Sequence, residues 1–253
     1  MRVRKAERLS VILERVAATG SVDVLELAED FRVSGATIRR DLTALSERRL
    51  LVRTHGGALA KGRSDELPAE VKAGRHQSEK RRIGRAAAEL VAAQTVIGMT
   101  GGSTALEVAR ALPTHRPLTV VTNAINVAAE LVGRAEIRLV VIGGILRPSY
   151  EAVGPAAEAM LSHYHLDIAF VGVDGISAEQ GCTTYDEMEA QSDLAFLRRA
   201  RRRVVIADSS KLGKVTFARI SDIGDVTDVI TDAAASHWEA TAISRAGVNV
   251  QSV

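Results

Sequence analysis

Two sets of residues in this chain are equipped for chemistry. The first is compact: Ser34, Thr37, Arg39 and Arg40, followed shortly by Arg53 and His55. Hydroxyls and guanidiniums at the start of one helix suit phosphate oxygens and base edges, and cations just beyond it suit a phosphate backbone. The second set is scattered: Gly101, Gly102, Ser103, Thr104, Asn123, Asp174, Glu189 and Lys211. A glycine turn opening a helix offers backbone N–H groups to an anion, and a lysine offers a point charge to a phosphate. Asn123, Asp174 and Glu189 suit sugar hydroxyls. The turn is not a P-loop, because no Gly-Lys-Ser/Thr follows, and it is not a dinucleotide fingerprint. By residue type alone it is equally a plain tight turn, Lys211 an exposed lysine, and Asp174 and Glu189 helix caps. Cys182 reads as a small buried filler. Nothing calls for a metal or cofactor.

The elements that must position the first set are legible. Leu9, Ile12, Leu13 and Val16 recur at helical spacing, so a helix is expected from about Arg4 to Thr19, ended by Gly20-Ser21. Val24, Leu27, Ala28 and Phe31 give a second stripe. Val33-Ser34 is a turn, with Ser34 as N-cap of a third helix from about Gly35 to Leu45. Ile38, Leu42 and Leu45 face inward there. Arg40 falls almost opposite Ile38, with Ala36, Thr37, Thr43 and Ala44 on the outer side and Arg39 at the flank. Three short helices with so brief a turn between the last two form a helix-turn-helix pattern. Leu50–Ala58 then gives way from apolar residues to Arg53, His55 and a glycine pair, which reads as a two-stranded wing.

The second set sits in a different pattern. Apolar β-rich runs at Thr95–Met99, Leu118–Asn123, Arg138–Gly143, Asp167–Asp174, Arg202–Asp208 and Val226–Thr231 alternate with helical stretches at about 103–112, 124–133, 154–163 and 186–200. Gly247–Val253 reads as an edge strand. Such alternation implies an α/β domain with a mostly parallel sheet covered on both faces, whose ligands bind beyond the carboxyl ends of the strands. The expected organisation is a winged helix-turn-helix head over 1–61, a linker over 62–79 with little periodicity, and an effector body over 80–253 that opens with a helix to about Val91.

Charge divides along the same line. The 253-residue chain has a net charge of +2, but residues 1–82 hold 18 Lys and Arg against 12 Asp and Glu, and the remainder 15 against 19, which is +6 against −4. A basic head on a mildly acidic body suits a polyanion at the head. With aromatics at 3%, the core must come from Ala, Val, Leu and Ile. A single cysteine excludes an intrachain disulfide, the first residues lack a signal-peptide apolar stretch, and no apolar run suits a membrane span. A cytoplasmic protein is expected.

Both halves resemble the DeoR family of bacterial transcriptional regulators. In the head the resemblance rests on Val33-Ser34-Gly35-Ala36-Thr37-Ile38-Arg39-Arg40-Asp41-Leu42 and on Arg53-Thr54-His55-Gly56-Gly57-Ala58, at the family's spacing. In the body it rests on Val121-Thr122-Asn123, Gly143-Gly144-Ile145-Leu146-Arg147, Val171-Gly172-Val173-Asp174-Gly175 and Ala207-Asp208-Ser209-Ser210-Lys211. Gly35 stands where an acidic residue is common, Arg49 where a glycine often opens the wing, and Thr100 where the family often has Asp. The Glu189-Ala190 pair lacks the basic residue that commonly follows it. The resemblance implies a body similar in fold to ribose-5-phosphate isomerase and the CoA transferases. It also implies a repressor of carbohydrate metabolism genes that binds a double-stranded DNA operator and is controlled by a phosphorylated sugar. A homo-oligomer, dimer or tetramer, is expected because one helix-turn-helix reads few base pairs. A sugar-phosphate isomerase with a DNA-binding appendage and a ligand-independent DNA binder are the competing readings.

Overall fold

The computed structural model describes residues 5–48, 50–60, 69–232 and 238–253. Arg49, Lys61 and the first part of the expected linker, 62–68, lie outside the described residues. The chain divides into two compact units, Met1–Arg75 and His76–Val253.

The head contains α1 (Lys5–Thr19), β1 (Ser21–Asp23), α2 (Val24–Asp30), α3 (Gly35–Glu47), β2 (Leu51–Arg53), β3 (Gly57–Ala60) and α4 (Ala69–Gly74). The three helical stripes meet in one core: Ile12, Leu13 and Val16 of α1, Val24 and Leu27 of α2, and Ile38, Leu42 and Leu45 of α3. Ser34 caps α3, its Oγ accepting from the Thr37 N–H at 3.2 Å, and Asp23 caps α2 by accepting from the Leu25 N–H at 2.6 Å. The wing is a strand richer than the sequence suggested, with order β1-β3-β2, all antiparallel. A Cβ at Gly57 would collide with the Val22 carbonyl, so this glycine is what lets β1 approach β3. Three residues with a single β-branched side chain were too short a run to betray β1. The segment expected to be irregular also holds α4, which packs on α1 and is tied to it by an Arg75–Glu14 ion pair at 2.6 Å.

The body comprises α5 (Gln77–Glu89), β4 (Val96–Met99), α6 (Ser103–Ala111), β5 (Leu118–Thr122), α7 (Ile125–Leu131), β6 (Ile137–Val141), β7 (Ile145–Leu146), β8 (Ala152–Val153), α8 (Pro155–Leu161), β9 (Leu166–Gly172), β10 (Gly175–Ser177), β11 (Gly181–Thr184), α9 (Glu187–Arg199), β12 (Ala200–Ile206), β13 (Ala218–Ser221), β14 (Asp228–Thr231), α10 (Trp238–Arg245) and β15 (Asn249–Ser252). A seven-stranded sheet runs β15-β14-β12-β9-β4-β5-β6, with every described pairing parallel. Its strands alternate between two apolar layers. Ile168 and Phe170 of β9 join α5, α6 and α7 on one face, while Ala169 and Val171 join α8, α9 and α10 on the other. The mostly parallel, doubly covered sheet expected from the alternation is the one observed. The hairpin β7-β8 and the small sheet β10-β11-β13 were not foreseen, because strands of two to four residues leave no periodicity to read. From β4 the chain steps outward through β5 to β6, then returns to pair β9 on the other flank of β4. This reversal opens a crevice beyond the carboxyl ends of β4 and β9.

Candidate functional site

In the head, α3 buries Ile38, Asp41, Leu42 and Leu45 and leaves Ser34, Ala36, Arg39 and Arg40 exposed, with Thr37 and Thr43 half-buried. The Ser34 and Thr37 hydroxyls lie 3.0 Å apart at the helix start. Asp41 has a task that sequence reasoning did not assign. It is 2% exposed and accepts from the buried Arg8 Nε at 2.6 Å, which fixes α3 to α1. Its signal was an acid on the inward stripe of a helix, where only a buried cation makes it tolerable. Arg53 and His55 are exposed on the wing. Arg53 does not hang free: one guanidinium nitrogen donates to Thr43 Oγ1 at 2.9 Å, and that hydroxyl donates to the Arg39 carbonyl at 2.8 Å.

In the body, Asp174, Glu189 and Lys211 converge although distant in sequence. Lys211 Nζ donates to Asp174 Oδ1 at 3.2 Å. Thr184 Oγ1 lies 3.3 Å from Asp174 Oδ2 and donates to Glu189 Oε1 at 2.9 Å. Glu189 Oε2 accepts from Ser149 Oγ at 3.1 Å and pairs with the Arg147 guanidinium, whose other nitrogen reaches Asp186 at 3.3 Å. Asp186 is also the N-cap of α9, so the β7-β8 turn is clamped to that helix end. Both Asp174 and Glu189 are buried, and Lys211 keeps about a fifth of its side chain exposed (21%).

The glycine turn lies at the crevice. Thr100 is buried and its hydroxyl accepts from the Gly172 N–H at 3.1 Å, joining the ends of β4 and β9. A Cβ at Gly101 would strike the Glu151 side chain, so this glycine makes room for a carboxylate from the hairpin. Gly102, at φ +96°, begins α6 without a side-chain cap. A glycine at this position offers no capping side chain of its own, and the Glu151 carboxylate lies against the neighbouring Gly101. Ser103 is half-buried and Thr104 buried. Asn123 is fully buried: its Nδ2 donates to the Ala152 carbonyl at 3.1 Å and to Glu151 Oε2 at 3.4 Å, while its Oδ1 has no partner among the described residues. Asp193, one turn after Glu189, also keeps an unpartnered buried oxygen. Burial pushes the Asp193 carboxyl well above the usual carboxylate range, and the nearby Glu151, Glu189 and Asp174 push it the same way against Arg147. Cys182 is buried as expected, which drives its thiol up to about 12.

Residues 8–63 match the DeoR-like helix-turn-helix domain and residues 75–233 the DeoR C terminal sensor domain. The chain belongs to the DeoR family. It is 34% identical over 249 residues, 97% of this chain and 93% of the other, to the putative aga operon transcriptional repressor of Escherichia coli O157:H7. It is 33% identical over 232 residues, 91% and 92% of the two chains, to the glycerol-3-phosphate regulon repressor of Escherichia coli K12. It is 31% identical over 228 residues, 89% and 91%, to the L-fucose operon activator of Haemophilus influenzae. Among solved structures, ribose 5-phosphate isomerase A from Methanocaldococcus jannaschii matches 53% of this chain and 54% of its own at 22% identity, with a TM-score of 0.40. The full-length sorbitol operon regulator from Klebsiella pneumoniae matches 81% and 89% at 13% identity, with a TM-score of 0.37.

The protein is thus a DNA-binding transcription regulator with a helix-turn-helix head and an α/β sensor body. Among the described residues no helix is long and apolar enough to cross a membrane. Two departures from the DeoR pattern find a physical reading. Thr100 supplies a cross-strand tie where the family often has Asp. Glu189, whose Ala190 neighbour is not followed by a cation, pairs with Arg147 of the hairpin, itself part of the family motif. Sequence reasoning missed Arg147, Glu151, Thr184 and Asp193. The Gly143–Arg147 motif was the available signal for Arg147, but its basic residue had no visible partner.

Proposed function

We propose that the outer face of α3, with Ser34, Thr37, Arg39 and Arg40, holds an operator in the major groove, and that Arg53 and His55 of the wing meet the DNA beside it. A phosphorylated sugar bound at the carboxyl edge of the body sheet changes that hold. The protein then acts in the cytoplasm as a repressor of carbohydrate metabolism genes, as a dimer or tetramer, and not as an enzyme. The observation that carries the effector reading is the meeting of Lys211, Asp174 and Glu189 at the carboxyl edge of the sheet, the edge at which α6 begins with Gly102. An anion at that helix start gains from its dipole and N–H groups, and Lys211 adds a charge. Asp174, Glu189 and Asn123 then face the hydroxyls. Relatives named for the glycerol-3-phosphate regulon and for sugar operons support the same class of effector. Against turnover, Glu189 has both oxygens engaged and Asp174 is paired with Lys211, which leaves neither poised as a general base.

The test is calorimetry of the full chain with a panel of sugar phosphates and their unphosphorylated parents, with and without an operator selected from random duplexes. A phosphorylated ligand should bind where its parent does not, and operator should change its affinity by the factor by which it changes operator affinity. No heat from any phosphorylated ligand, or binding with no change at the operator, overturns the regulatory reading. Steady turnover of ribose 5-phosphate that is lost in Lys211→Ala overturns the non-enzymatic one. At the head, Arg40→Ala should weaken operator binding by about 1–3 kcal/mol.

A further inference from the structure

The wing arginine is tied to the recognition helix through one hydroxyl. Thr43 lies in the second half of α3, on the outer side with Thr37 and Ala44 and away from the buried Ile38, Leu42 and Leu45. Its hydroxyl has a single proton, which goes to the Arg39 carbonyl one turn earlier at 2.8 Å. The oxygen's lone pairs are left outward, and Arg53, ten residues further along the chain, fills one of them from β2 at 2.9 Å. Arg53 stays exposed, and the planar guanidinium keeps several N–H groups for another acceptor. A free arginine loses rotamer entropy when it meets a phosphate or a base edge. A guanidinium already held over the outer face of α3 has lost part of it beforehand, and its position is set by the helix register.

We infer that Thr43 is a positioning residue for DNA recognition: it holds Arg53 on the groove-facing side of α3, so that the wing arginine and the recognition helix engage DNA as one unit. The inference rests on the reading of that face as the DNA interface. It differs from a wing cation that touches phosphate by its own flexible reach. Such a cation would contribute alike to any duplex and independently of Thr43.

A double-mutant cycle on the full-length protein separates these. Thr43→Val keeps the shape and removes the acceptor, Thr43→Ser keeps the acceptor, and Arg53→Ala removes the tethered group. Affinities are measured against the selected operator and a scrambled duplex at fixed salt, with thermal melts to confirm that each head is folded. Arg53→Ala should weaken operator binding about tenfold in the wild-type background and less than about twofold in the Thr43→Val background. Thr43→Ser should bind within about twofold of wild type, and the losses should be larger on operator than on scrambled DNA. Equal losses from Arg53→Ala in both backgrounds, a Thr43→Ser variant as weak as Thr43→Val, or a silent Arg53→Ala each overturns the inference. If Arg40→Ala is silent as well, the failure belongs to the interface reading itself.

Discussion

The head and the body organise their functional residues in opposite ways. In the head they lie on one short helix and the strand that follows it, exposed, with the fixing interactions buried behind them in Arg8–Asp41 and the apolar stripe. In the body they come from several loops, are largely buried, and are bonded chiefly to one another: Lys211 to Asp174, Asp174 to Thr184, Thr184 to Glu189, Glu189 to Arg147. The proposed duplex-facing surface keeps its donors exposed and rests them on a scaffold. The proposed ligand site is a polar network inside the protein, bonded chiefly within itself, with an Asn123 and an Asp193 oxygen left over among the described residues for a ligand to meet.

This contrast can be broken most sharply at the head. Asp41→Ala removes the buried carboxylate with which Arg8 pairs, and breaking a buried pair in this way costs about 3–5 kcal/mol. The head should melt far below its normal temperature and operator binding should vanish, while the body keeps its transition and its ligand heat. A variant with the wild-type melt would mean that the scaffold behind α3 is not what holds it. The next largest effect belongs to Glu189→Gln. Removing the charge from a carboxylate that pairs with Arg147 and accepts from Thr184 and Ser149 should destabilise the body by about 1.5–3 kcal/mol. Ligand-free operator affinity should stay near wild type, and denaturant melts read both. An unchanged body would show that the network carries no stability and exists for the ligand alone.

The smallest effect is a pH dependence at the opposite end of the sheet. Burial pushes the Asp228 carboxyl upward, but Arg202, Asn249 and Thr227 outweigh it and bring it down to about 2. A carboxylate depressed by folding contributes stability above its ordinary value, near 4, and that contribution is lost as pH falls toward 2. Acid melts between about pH 4 and pH 2 should therefore steepen relative to Asp228→Asn, with the difference reduced because Arg202 is 40% exposed. Parallel curves would remove Asp228 from the acid response.

The contrast also explains what could be read from the residues. α1, α2 and α3 were legible because their apolar stripes repeat at helical spacing and Ser34 marks the cap. The large sheet was legible because a doubly covered parallel strand is a largely apolar run, as in β4 and β9. Asp174 and Lys211 were found because each closes or follows such a run. Arg147 and Glu151 escaped because they sit on a hairpin whose strands are two residues each, held by hydrogen bonds rather than by an apolar pattern. Asp193 escaped because an acid on a helix reads as a solvated face, and only the packing of three other carboxyl groups around it shows otherwise.

The central pairing of the body has a consequence in time. β4 meets β9 across a long excursion of chain: the Val96 N–H is fixed by Asp167, 71 residues further on, at 2.8 Å. In the head, the Arg8–Asp41 pair that fixes α3 to α1 spans only 33 residues. Closing the longer loop comes at a higher entropic cost before any contact repays it, so the sheet forms late while the helices of the head assemble early. During synthesis, which runs at roughly 5–20 residues per second, the head leaves the ribosome first, and the strands after β9 need several seconds more. A nascent chain thus holds a finished DNA reader before it holds a sensor, and for that interval the reader answers to no metabolite.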